Sequence, residues 1–139
     1  MRIMAIDYGD AHTGIAISDP TGFLAGFTTT IDAYRPEVVV QRITELARQH
    51  GAEELVLGHP KNMDGTLGPR AEKAEAMAEL LKEATGLPVI LWDERRTTID
   101  AHQILMAGGK NAKKRKKVVD AVAASLILEG YLTYNRAHP

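Results

Sequence analysis

Three acidic residues stand at positions where an acid is out of place. Asp7 closes the run Ile3-Met4-Ala5-Ile6, which is apolar on both sides of the pleat, as a strand covered on both faces would be. Glu94 follows Val89-Ile90-Leu91-Trp92-Asp93, a second apolar run ending in acid, and alternation puts Asp93 on the face opposite Glu94. Asp120, in Val118-Val119-Asp120-Ala121-Val122-Ala123-Ala124, shares a helical stripe with Ala124, Ile127 and Tyr131, otherwise small or apolar. A charge at the rim of a core needs a partner. If the three carboxylates meet, their repulsion calls for shared protons or hard divalent cations, and Mg²⁺ and Mn²⁺ favour carboxylate oxygen and water. Two such ions about 3.5–4 Å apart form the clamp used for in-line phosphoryl displacement. Each acid also has a plainer use. Asp7 can accept hydrogen bonds from the turn after it, Glu94 can pair with Arg95 or Arg96, and Asp120 can be a first-turn acid favoured by the helix dipole.

The elements that must bring these residues together can be read from periodicity. Strands are expected at about residues 2–8, 13–19 and 23–31, a three-stranded meander joined after Asp7 by the short turn Tyr8-Gly9. Pro36 suits a first helical turn, Val39, Ile43, Leu46 and Ala47 recur at helical spacing, and Gly51 is a stop. A short strand follows at Leu55-Val56-Leu57-Gly58, then the loop HPKNMDGTLG, a helix from Pro69 to Gly86, and a strand at Pro88–Trp92. Thr97 and Thr98 cap a further helix running to Met106, which Gly108-Gly109 break, and Val118 to Leu132 form the last helix after a basic run. Three strands followed by strands alternating with helices give an α/β chain with a mixed five-stranded sheet, strand two antiparallel and helices on both faces. Trp92 and Met106 sit on apolar patterns as core. The last helix, with alanines below Asp120, can approach the sheet closely and bring Asp120 towards Asp7. Ligands of open α/β sheets bind at the carboxyl edge where Asp7 and Glu94 lie.

At 139 residues, residues 1–139 are expected to form one domain with a substantial core. The absence of cysteine excludes disulfides and thiolate metal sites and fits a reducing interior, so a cytoplasmic location is expected. His12, His50, His59, His102 and His138 are scattered, most of them read as surface residues. No segment has the length of a membrane span, so no membrane partner is expected, and the oligomeric state is left open. The formal net charge of −1 hides six cations in Lys110, Lys113, Lys114, Arg115, Lys116 and Lys117. Such a run just before Asp120 is a candidate phosphate-backbone contact, its alternative being a solvated loop. The loop from Lys61 to Arg70, with Asn62 and two glycines, precedes a helix amino terminus, where free amides suit an oxyanion. Its alternative is an Asn-Asp-Gly turn before a proline-started helix.

Four stretches, DYG, GHPKNMDGTLGPRAE, WDERRTT and KKRKKVVDAVAASLIL, occur in the order found in the YqgF family, also called RuvX, and the chain resembles that family over nearly its whole length. The resemblance implies a ribonuclease H-like fold similar to Holliday-junction resolvases, and a nuclease implicated in maturing the 5′ end of pre-16S ribosomal RNA. It further implies that Asp7, Glu94 and Asp120 are the catalytic residues and hold Mg²⁺ or Mn²⁺. The expected partner is structured nucleic acid, an RNA precursor ahead of branched DNA, with a non-catalytic ribosome-assembly factor as a rival. One departure stands out. The family usually carries a Lys-Arg pair in the first turn, where this chain reads Asp10-Ala11-His12-Thr13. The D-x-G-x4-G spacing of Asp7 to Gly14 also looks like the first phosphate loop of the sugar kinase and actin group, but those enzymes close two such domains around a nucleotide and 139 residues do not hold two.

Overall fold

The computed structural model describes residues 1–19, 25–60, 68–93 and 112–137, apart from the side chains of Ala25, residues 112–120 and Arg136. In chain order the elements are β1 (Ile3–Asp7), β2 (His12–Ser18), β3 (Ala25–Asp32), α1 (Pro36–His50), β4 (Glu54–His59), α2 (Pro69–Thr85), β5 (Val89–Asp93) and α3 (Ala112–Ala137). The strands form one five-stranded sheet in the order β3-β2-β1-β4-β5. β2 is antiparallel to β1 and β3, with Asp7 opposite Gly14 and His12 opposite Asp32. β1, β4 and β5 run parallel, with Ile6 beside Leu57 and Leu57 beside Leu91. The mixed sheet with an antiparallel second strand is thus as the hydrophobic pattern predicts.

Alternation along the strands divides the core into two layers. Met4, Ile6, Ile15, Ile17, Leu55 and Leu57 pack against Val39 and Ile43 of α1 and Met77 and Leu81 of α2. On the other face Ile3, Ala5, Ala16 and Val56 meet Ala124, Ile127, Leu128 and Tyr131 of α3. Alanine against alanine lets α3 approach the sheet closely. α1 and α2 begin and end where the sequence says they should: each has a proline in its first turn and a left-handed glycine at its end, Gly51 at φ 68° and Gly86 at φ 69°. Gly9 is required for a steric reason, since a Cβ there would collide with the carbonyl oxygen of His12.

One expectation fails in its boundaries. The basic run was expected as a loop before a helix of Val118–Leu132, whereas α3 starts at Ala112 and continues to Ala137. Lysine and arginine are strong helix formers, so the run extends the helix although it lacks apolar periodicity. At the far end Tyr134 packs edge-on against Trp92, with ring centroids 5.8 Å apart, which rewards continuing the helix five residues beyond Leu132. Trp92 itself is half-buried beneath α3, 3.4 Å from where a Cβ on Gly130 would lie. The predicted helix from Thr97 to Met106 and the first residues of the predicted third strand lie outside the described residues. No helix among the described residues is long and apolar enough to cross a membrane.

Candidate nucleic-acid-processing site

The sheet order reverses at β1. From it the chain steps outward through β2 and β3 on one side, then returns to place β4 and β5 on the other. Ligands of α/β sheets settle outside the carboxyl ends of the strands at such a reversal. Asp7 is the last residue of β1 at that edge, half-buried. It shares its pleat face with Ile3 and Ala5, both in the layer beneath α3. Its cross-strand neighbour on β2 is Gly14, which projects no side chain beside the carboxylate. The D-x-G-x4-G spacing therefore has a structural meaning: one glycine makes the turn and the other leaves room next to the acid.

Of the other candidates, the structure brings some to this edge and is silent on others. β5 ends at Asp93, paired with His59 of β4, while Glu94 lies outside the described residues. Asp120 is on α3, one helical turn before Ala124, its side chain outside the description. Lys113, Lys114, Arg115, Lys116 and Lys117 occupy the first turns of α3, a segment with no acid in its first turn. Arg70 is the second residue of α2 and exposed, and Asn62 and Lys110 are outside the described residues. Among the described residues no group of three or more His, Cys, Asp or Glu side chains could hold a metal ion. Asp7 is the one member of the expected triad whose side chain is described.

The structure adds three pairs at this edge. Asp10, the acid in the first turn, meets Lys73 of α2 at 2.9 Å, and the bond raises the Lys73 ammonium above its ordinary range. His12 Nδ1 lies 2.7 Å from Asp32 Oδ1, bridging the starts and ends of adjacent strands. His59, 8 % exposed, lies 2.9 Å from Glu75 of α2 through Nε2 and so is not one of the surface histidines. Between them the first and third pairs tie the amino end of α2 to the turn after Asp7 and to the end of β4. Tyr8, packed against the α1–α2 layer, has its phenol raised above the usual range by burial, then by Asp10. The acid that replaces the family's first-turn cations is thus engaged with α2.

A family profile described as "RuvX: Holliday junction resolvase" matches residues 1–134. The chain belongs to the RuvX family. It is 46% identical over 139 residues to a protein of Halothermothrix orenii named "Putative pre-16S rRNA nuclease", covering 99% of each chain. A protein of Pelotomaculum thermopropionicum with the same name is 47% identical over 133 residues, 95% of this chain and 86% of that one. RuvX membership and these nuclease relatives make the chain a nuclease acting on nucleic acid, a hydrolase of ester bonds. Among solved structures, RuvC of Thermus thermophilus in complex with a Holliday junction superposes with a TM-score of 0.66 at 15% identity, covering 99% of this chain and 97% of that one. The fowlpox virus resolvase in complex with junction DNA gives 0.56 at 11% identity, with 99% and 98% covered. These likenesses establish the resolvase-type, ribonuclease H-like fold for this RuvX chain. A ROK hexokinase from Thermus thermophilus gives 0.51 at 22% identity, but matches 74% of this chain and 38% of the hexokinase. This is the limit expected if a single unit of the kinase architecture is shared.

Proposed function

We propose that this RuvX chain is a divalent-metal-dependent nuclease that cuts phosphodiester bonds in structured nucleic acid, with the 5′ end of pre-16S ribosomal RNA as its substrate ahead of DNA junctions. The observation that carries the reading is the start of α3. Five cations, Lys113 to Lys117, occupy the amino-terminal turns of a helix with no first-turn acid. That is the end where the helix dipole disfavours positive charge, by about 0.3–1 kcal/mol per exposed cation. A run kept there against that cost suits a polyanion, which neutralises cations and dipole together. A solvated loop would have carried no such cost.

Asp7 supports the same reading from the sheet. It is a carboxylate at the edge where parallel strands reverse, opposite a glycine, in a chain without cysteine. Carboxylate oxygen without thiolate is the donor chemistry of Mg²⁺ and Mn²⁺. Glu94 follows the last residue of β5 in the sequence. Tyr131 bonds Glu54 at the opposite, amino edge. From there back to position 120, α3 spans about 16 Å at 1.5 Å per residue, against about 13 Å for the four steps from Ile3 to Asp7 along β1 at about 3.3 Å each. The helix thus has the length to reach the carboxyl edge. Asp7, Glu94 and Asp120 would hold the ion, which supplies an activated water and charge stabilisation when bound. Lys110 and Lys113–Lys117, with Asn62 and Arg70, would hold the backbone.

Purified protein should therefore cleave ribosomal precursor RNA in Mg²⁺ or Mn²⁺ and lose activity with EDTA. A four-way DNA junction is the comparison substrate. Cleavage of the junction alone would shift the assignment to resolution, and tight RNA binding without cleavage in either metal would favour a non-catalytic assembly factor.

A further inference from the structure

At the carboxyl edge that carries Asp7, the loop between β3 and α1 presents one aromatic ring to solvent. Tyr34 is 80% exposed, the most open of the large hydrophobic side chains among the described residues. Its backbone is anchored on both sides. Ala33 N–H donates to the carbonyl of Ala11 at 3.1 Å, in the turn that follows Asp7, and the carbonyl of Arg35 accepts from Val38 and Val39 at 3.0 and 3.1 Å. Arg35 caps α1 in an extended conformation, as a residue before proline must. Tyr34 is therefore an anchored backbone position with an uncovered ring, so little backbone ordering entropy is lost when the ring is used.

The surroundings suggest what uses it. Pairing places Asp7 beside Gly14 on β2 and Gly14 beside Thr30 on β3, so Thr30 stands about two strand spacings, roughly 10 Å, to the side of Asp7, and Tyr34 follows four residues further along the chain, beyond the carboxyl end of β3. The flanking carboxylates each have a nitrogen partner, Asp32 with His12 at 2.7 Å and Glu37 with Arg35 at 2.8 Å. The Arg35 cation is next in the chain. The other exposed large hydrophobics among the described residues, Met1, Phe27, Leu80, Leu91 and Tyr134, belong to other elements, and Leu80 lines a shallow cavity with Pro36 and Val40 at the start of α1. An exposed aromatic ring on an anchored backbone fits the flat face of a base.

We infer that Tyr34 is a stacking platform for an unpaired base of the strand that crosses the carboxyl edge towards Asp7. The inference rests on the nucleic-acid reading of that edge and adds a preference: the substrate is single-stranded a few nucleotides from the cleaved bond. The test measures binding of the full-length protein to a labelled single-stranded oligonucleotide and to the same sequence fully paired. Tyr34→Ala should weaken single-strand binding roughly 5- to 150-fold, the usual range for losing one stacked base, and leave duplex binding and the melting temperature unchanged. Tyr34→Phe should bind as the native protein does, and Tyr34→Trp should add fluorescence that single strand quenches. Equal effects of Tyr34→Ala on both forms, or none, overturn the platform. If cleavage still depends on Asp7 in that case, the nuclease reading stands without it; if no nucleic acid binds at all, both fall.

Discussion

The two ends of the sheet are held by different chemistry. At the amino end, fixed bonds to the main chain predominate: Arg2 Nη1 donates to the carbonyl of His50 at 2.7 Å, Ile3 N–H to Ser18 Oγ at 2.8 Å, and Glu53 N–H to the carbonyl of Arg2 at 2.9 Å. Tyr131 adds its hydroxyl to Glu54. At the carboxyl end, ionisable side chains meet one another across elements, Asp10 with Lys73, His12 with Asp32 and His59 with Glu75. The first kind of bond gains little from changes in salt or proton concentration. The second is weakened by salt, which screens the charged partners. One end is built to hold the fold, and the other to tolerate rearrangement when charge arrives, which is the division expected if substrate is processed where Asp7 lies.

If that division is right, substitutions at the carboxyl end should remove function and spare the fold. The largest effect should come from Asp7→Asn, which keeps the volume and removes the charge. A bound metal contributes several kcal/mol to the transition state, so cleavage should fall by a hundredfold or more at roughly 1.4 kcal/mol per tenfold, with the melting curve unchanged. Substantial residual activity would mean the cation is held elsewhere. A smaller effect should follow from replacing Lys113, Lys114 and Lys116 with alanine. Binding to unrelated sequences should weaken by similar factors, because lysines recognise phosphate as point charges. The slope of log affinity against log salt should flatten by about 2 on single strands, at about 0.7 per phosphate contact. An unchanged slope would leave the run without a role in binding.

How far the sequence disclosed this arrangement depended on the range of each signal. α1 and α2 were legible because proline, apolar spacing and a terminal glycine all lie within one element. The start of α3 was missed because Lys113–Lys117 carry no apolar stripe, and helix propensity without periodicity is a weak signal. Asp7 stood out as a charge ending an apolar strand. Asp10 with Lys73 and His59 with Glu75 did not, since the members of each pair sit on different elements, 63 and 16 residues apart. A clue to His59 was nevertheless present: Leu55, Leu57 and His59 alternate onto one face, so a histidine at the end of that row faces α2 and requires a partner there.

The smallest predicted effect tests the amino end. Tyr131 is 7% exposed, and its phenol is raised above 10.0 by burial and then by its bond to Glu54. The folded chain therefore keeps a proton that the unfolded chain releases first. The sign follows by linkage: this contribution is complete below about pH 10 and is lost as pH rises through the folded value. Tyr131→Phe should cost about 1 kcal/mol at neutral pH, the usual net worth of one hydrogen bond, and should reduce the alkaline loss of stability. Some loss should persist, because Tyr8 is shifted in the same direction by burial and Asp10. Denaturant unfolding of both proteins from pH 7 to 11 measures this, with cleavage at neutral pH as the control. Tyr131→Phe should cleave at the native rate. A variant with unchanged stability but a lower rate would show that the amino end takes part in turnover, and the contrast between the two ends of the sheet would no longer hold.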